Sequence, residues 1–136
     1  MAGFKAGDAF FICDNLSKEK GHLHVALCAP YGQPLVVLVV ICNTKTLDTD
    51  ITLILNKDDH SFIKHPTSVS FDYLKPINVA PLVALEASGR MDLFKRYEPV
   101  SPELLKRMVQ GALTSDMTPK RMKTLLREQL GITDEE

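Results

Sequence analysis

Cysteine is scarce in this chain and nowhere arranged for chemistry. Cys13, Cys28 and Cys42 are the only three, each inside an apolar run. An odd number cannot all pair within one chain, so they read as reduced core residues of a cytoplasmic protein. No Cys-x-x-Cys pair and no His/Cys set with zinc spacing is present, so no metal is expected. Long hydrophobic runs are also missing. The longest, Leu35 to Cys42, is eight residues, far short of the roughly 20 that span a bilayer. Asp8 and Asp14 flank the first apolar run, where a signal peptide would have a basic start. Charge of one sign is absent too: 16 Lys+Arg against 17 Asp+Glu give a net charge of -1. A strongly electrostatic nucleic-acid or membrane binder is not written into that balance, although a local patch is compatible with it. The chain has no Walker loop, no Gly-x-Gly-x-x-Gly and no Gly-x-Ser-x-Gly elbow. Nucleotide-dependent chemistry and serine-hydrolase chemistry are therefore not indicated, and no cofactor is expected.

What is present suits a folded core: 136 residues, 45% of them hydrophobic and 24% charged. Strand signals dominate the first half. Ala9–Cys13, His22–Cys28, Leu35–Cys42, Ile51–Leu55 and Thr67–Phe71 are short runs rich in β-branched and aromatic residues, separated by turn clusters such as Ala29–Pro34. The all-apolar Leu35–Cys42 suits a strand buried on both faces. A sixth strand is expected near Val79–Leu85, with Pro81 placing it at an edge. Asn15–Gly21 is polar and reads as a loop.

The last third has a different period. Ser101-Pro102-Glu103 offers an N-cap with proline at the first helical position. Leu104, Leu105, Met108, Val109, Ala112 and Leu113 then recur at helical spacing. Thr118-Pro119 repeats the start signal, with Met122, Leu125, Leu126 and Leu130 behind it and Gly131 as a stop. Asp134–Glu136 is a solvated acidic tail. The expected class is mainly β (α+β): five to six short strands in a small barrel or sandwich over residues 1–98, then two amphipathic helices in an extension over 99–136. Between Ser101 and Gly131 six basic residues, Lys106, Arg107, Lys120, Arg121, Lys123 and Arg127, face three acidic ones. A solvated helix face is the first reading of that surplus, and an RNA or acidic-partner surface the second.

All four histidines fall in two short segments. His22 and His24 open the second strand, two apart and so on one face. His60 and His65 flank Ser61–Lys64 just before the fifth strand. Histidine titrates near neutral pH and can take a proton from one oxygen and return it to another. An exposed pair at a strand end is the plainer reading of His22 and His24, and a metal site the third. Thr44 at the end of the buried strand and Ser68 at the start of the fifth have turn and strand-end roles as their first reading.

Taken in order, residues 5–76 resemble the small-barrel ribonuclease toxins of the MazF/PemK type. Lys5-Ala6-Gly7-Asp8-Ala9-Phe10-Phe11 is similar to that family's basic-x-Gly-Asp-hydrophobic first strand. A polar loop follows, then His22–Cys28 where the family has Arg-Pro-x-x-Val-hydrophobic-Ser. Ile41-Cys42-Asn43-Thr44 looks like its apolar strand closing on Thr or Ser, and Asp59–Val69 sits where a segment ending in Ser-hydrophobic is expected. The family's catalytic arginine falls on His22 here, and the following proline on Leu23. The resemblance implies an SH3-like barrel that forms a homodimer, takes single-stranded RNA and is held in check by an antitoxin protein. It also implies cleavage without metal by attack of a ribose 2′-hydroxyl on the adjacent phosphate. His22 and His24 would then carry the protons, Thr44 would orient the phosphate, and Lys64, Ser68, His60 and His65 would bind substrate. The competing reading is a non-catalytic small-barrel module that binds a protein or nucleic acid, since fold alone does not decide function. A metallohydrolase is a distant third.

Overall fold

The computed structural model describes residues 3–13, 21–44 and 51–132. All of the predicted Asn15–Gly21 loop except Gly21, and the tail Asp134–Glu136, lie outside the described residues. Among the described residues, six strands, β1 (Ala9–Ile12), β2 (His22–Ala26), β3 (Val36–Thr44), β4 (Ile54–Leu55), β5 (Thr67–Asn78) and β6 (Phe94–Tyr97), form one antiparallel sheet in the order β4-β5-β3-β2-β1-β6. Three helices of the described residues accompany it: α1 (Val79–Ser88), α2 (Pro102–Thr114) and α3 (Lys120–Leu130).

The uniformly apolar third run is the central strand, as a strand covered on both faces must be. Alternation along it divides the interior in two. Leu38, Val40 and Cys42 point to a first core with Leu23, Val25, Val69 and Phe71. Val37 and Val39 point to a second core with Phe4, Phe10 and Phe94. Leu104, Met108 and Ala112 of α2 and Leu126 of α3 close the first core. Val79 and Leu82 of α1 close the second.

Helices α2 and α3 follow their sequence signals closely. Ser101 caps α2, its Oγ accepting from the Leu104 amide at 3.1 Å, with Pro102 at the first helical position. Gly131, in the left-handed conformation at φ 70°, ends α3. The start of α3 is one residue later than expected. Pro119 occupies the N-cap position, and the hydroxyl of Thr118 is buried with no hydrogen-bond partner.

Gly111 sits inside α2 because Phe71 occupies the space a side chain would need. A Cβ there would fall 2.6 Å from Phe71 Cζ, and that ring is fully buried. Alanine is intrinsically the better helix former by about 1 kcal/mol, yet Gly111→Ala is expected to lower stability by about 1–3 kcal/mol through overpacking. Urea unfolding of the two proteins checks this; an unchanged or raised midpoint would show that the ring yields.

Three expected strands are corrected. Val79–Leu85 is not an edge strand but the body of α1. The segment is apolar nearly all round, so its period cannot be read. Pro81 stands in the first turn, where an amide has no intrahelical acceptor to lose, and Gly89 at φ 75° closes the helix. The sixth strand is instead Phe94–Tyr97, four residues whose Phe94 and Arg96 alternate with Lys95 and Tyr97. The fourth strand is also shorter than expected, since only Ile54 and Leu55 pair, at the sheet edge. The fifth is longer, reaching Asn78. Pro76 is accommodated where β4 no longer flanks β5, so the missing amide removes no ladder bond. Between Ser70 and Lys75, β5 carries Phe71 to Leu74 opposite the single residue Val40. That irregularity bends the strand and curls the sheet into a half-barrel.

Candidate functional site

A cleft of about 440 Å³ opens where β2 begins and β3 ends. Its floor is Gly21, His22, Leu23, Cys42 and Asn43, and its wall is Phe62, Ile63, Lys64, His65 and Thr67. The antiparallel register sets Leu23 beside Cys42, so the two strand ends are held together by the ladder itself. Gly21 permits the approach of β1: a Cβ at this position would collide with the Ile12 carbonyl oxygen.

The wall is fixed in several places. Ile63 is buried in the first core, while Lys64 and His65 are exposed on the next two positions. The Thr67 hydroxyl donates to the His65 carbonyl at 2.8 Å. His60 is 6% exposed and has both ring nitrogens engaged. Its Nδ1 accepts from the Phe62 amide at 3.0 Å, so the donor to the Glu98 carbonyl at 2.8 Å is Nε2–H. The ring is thereby fixed as the Nε2–H tautomer, bolting residues 60–62 to the β6–α2 connection. Glu98 reinforces the joint. Its carboxylate accepts from the Ser61 amide at 3.2 Å, and hydrogen bonding from Ser61 holds its pKa down at about 2.

Of the residues singled out by sequence, the cleft therefore gathers three: His22, half-buried at the mouth of β2, with Lys64 and His65. His24, His60 and Ser68 do not line it. Thr44 closes β3 opposite Thr67, and its side chain lies outside the described residues. His24 shares the strand face of His22 but sits deeper, in the second core. Its ring stacks on Phe10 at 5.8 Å and meets Tyr73 edge-on at 6.2 Å. Nδ1–H donates to the His22 carbonyl at 2.9 Å. Burial, aided by His22 and Lys75, drives its pKa down from 6.5 to about 4, against the hydrogen bond to the His22 carbonyl. A ring held neutral in this way is a poor proton carrier at pH 7 and a good anchor for the backbone of His22. Ser68 is fully buried.

Cys42 lines the cleft without being a nucleophile in waiting. Burial raises its thiol to about 12, leaving almost no thiolate at neutral pH. Among the described residues no group of three or more His, Cys, Asp or Glu converges as a metal site would require. No described helix is long and apolar enough to cross a membrane.

No protein-family model matches this chain, and no curated protein matches it.

Sequence reading passed over three features of the site and its surroundings. Asn43 lines the cleft with its amide nitrogen donating to Ser70 Oγ at 2.6 Å, a link between neighbouring strands that residue type alone does not announce. Phe62 forms part of the wall. On the opposite face, Arg96 grips Glu86 through two bonds of 2.9 Å and Asp8 through a third of 3.0 Å. It also lies 4.4 Å over the Phe4 ring. The Arg96 guanidinium holds the Glu86 carboxyl below its usual range. These charges satisfy one another, so the cluster clamps α1, β6 and the Lys5–Asp8 turn together. On the helices, Arg107 is engaged by Asp59 at 3.4 Å, whereas Lys106, Lys120 and Arg121 are exposed, a solvated face.

Proposed function

We propose that this protein is a metal-independent endoribonuclease of the MazF/PemK toxin type, built on an SH3-like barrel and acting on single-stranded RNA. The observation that supports the reading is the convergence of His22, Lys64 and His65 on one cleft. They come from two segments about forty residues apart, whose order along the chain gives the resemblance. The chemistry asks for little more. A base takes the proton of a ribose 2′-hydroxyl, the freed oxygen attacks the adjacent phosphorus, and the bond to the 5′-oxygen of the next nucleotide breaks. An acid then protonates that leaving oxygen, and the products are a 2′,3′-cyclic phosphate and a 5′-hydroxyl. His22 and His65 are the two proton carriers, and the Lys64 ammonium offsets the charge that builds on the phosphoryl oxygens. A homodimer and an antitoxin protein partner accompany this reading.

The test is incubation of the purified protein with a long unstructured RNA in EDTA. Fragments ending in 2′,3′-cyclic phosphate are expected. RNA left intact would overturn the endoribonuclease and leave a small barrel whose cleft binds without reacting.

A further inference from the structure

The cleft continues onto an aromatic surface. Phe62, half-buried in its wall, contacts Tyr97 edge-on with ring centroids 5.2 Å apart, and Phe11 at 6.2 Å. Phe11 and Lys95 face each other across the β1–β6 ladder. Lys95 and Tyr97 share a face of β6, and the exposed Lys95 ammonium lies 4.9 Å from the Tyr97 ring centre. The groups leaving the cleft are thus a cation, a cluster of three aromatic rings and a second cation: Lys64, then Phe62 with Phe11 and Tyr97, then Lys95. The neighbouring carboxylate, Glu98, is turned onto the Ser61 amide.

We infer that this stripe is a track for single-stranded nucleic acid, with a base stacked on Phe62 and the phosphates on either side of it reaching Lys64 and Lys95. Each part of the ligand has its counterpart. A nucleobase offers a flat π-face whatever its identity, and a half-buried ring braced by two others is a rigid platform for it. Phosphates recur along the strand on both sides of the base, as the lysines do on both sides of the rings. A polyanion without bases would use the lysines alone, and an apolar peptide would use the rings alone. The inference rests on reading the cleft as an RNA site, and it adds the direction in which the strand leaves and the residues that carry it.

The test uses the full chain and a fluorescein-labelled decanucleotide with 2′-O-methyl riboses, which lacks the attacking hydroxyl and so reports binding alone. Phe62→Leu is expected to weaken binding by roughly 5- to 100-fold, the effect of losing one stacked base, while Phe62→Trp preserves it. Lys95→Ala is expected to weaken binding several-fold and to lower the salt dependence by about one phosphate contact. The chain contains no tryptophan, so the indole of Phe62→Trp is a lone reporter whose fluorescence the bound oligonucleotide should quench. Inorganic polyphosphate serves as the control without bases; its binding should follow Lys95→Ala and ignore Phe62→Leu. Failure of the wild-type protein to bind the oligonucleotide would overturn the track. So would equal loss of oligonucleotide and polyphosphate in Phe62→Leu, or unchanged oligonucleotide binding in that variant. Cleavage with Phe62-independent binding would remove the track and leave the endoribonuclease standing. Phe62-dependent binding without cleavage would do the reverse.

Discussion

Alanine in place of His22 should lower the rate of RNA cleavage by about 10²- to 10⁴-fold, the range spanned by one positioned proton-transfer group. The loss should fall on kcat, since the imidazole removed is one of several groups at the cleft and the proposed phosphate contact of Lys64 would remain. Binding of a non-cleavable 2′-O-methyl oligonucleotide should change by less than about threefold, because a half-buried contact at the mouth of the cleft contributes little to affinity. His24→Phe is the informative partner. It removes a histidine two residues away but keeps an aromatic ring in the second core, where His24 stacks on Phe10. Its activity should stay within about tenfold of the wild-type protein, the remaining loss reflecting the freed His22 carbonyl that His24 now holds. If His24→Phe proved as damaging as His22→Ala, or His22→Ala retained full rate, the division of labour between the two histidines would be wrong.

Acid should destabilise the protein through the same buried ring. In the folded chain His24 takes up a proton only near pH 4, against 6.5 for an unhindered histidine. Above pH 6.5 the ring is neutral whether the chain is folded or not, and stability does not depend on it. Between 6.5 and 4 the unfolded chain binds a proton that the folded chain refuses, so stability falls as pH falls. Below 4 both forms are protonated and the loss levels off. A depression of this size corresponds to about 3 kcal/mol, a large share of the 5–15 kcal/mol typical of a domain. Urea midpoints measured at pH 7 and pH 4.5 should show this slope in the wild-type protein and a clearly smaller one in His24→Phe. Parallel slopes would place the acid sensitivity on other groups.

The two histidines also show how far the sequence could be read. Period-two alternation puts His22 and His24 on one face, and that is correct. Depth is a different property, set by what packs above each position. His24 lies under Phe10 and Tyr73, and those neighbours come from other strands. His60 gives the same lesson, since its second nitrogen is engaged by a carbonyl 38 residues away. The helices α2 and α3 were legible because Ser101-Pro102, the 3.6-residue spacing and Gly131 all agree. The segment Val79–Ser88 was not, since a run that is apolar on nearly every side has no period to read. The final strand, Phe94–Tyr97, is four residues with two of them charged, and only its partner β1 makes it a strand. Lys64 and His65 were legible as neighbours of a strand start. The aromatic wall beside them was not, because it is assembled from residues 11, 62 and 97.

The pairing of β1 with β6 has a consequence for the chain as it is made. Strand β1 is flanked on one side by β2, available almost at once, and on the other by a strand some eighty residues later. Until Phe94–Tyr97 leaves the ribosome, the outer ladder groups of Ala9–Ile12 face open water, with Phe10 missing its neighbour Phe94 and Asp8 missing Arg96. An open edge of this kind invites pairing with other chains. The nascent protein therefore carries an adhesive border from the emergence of β1 until that of β6, the strand that seals it.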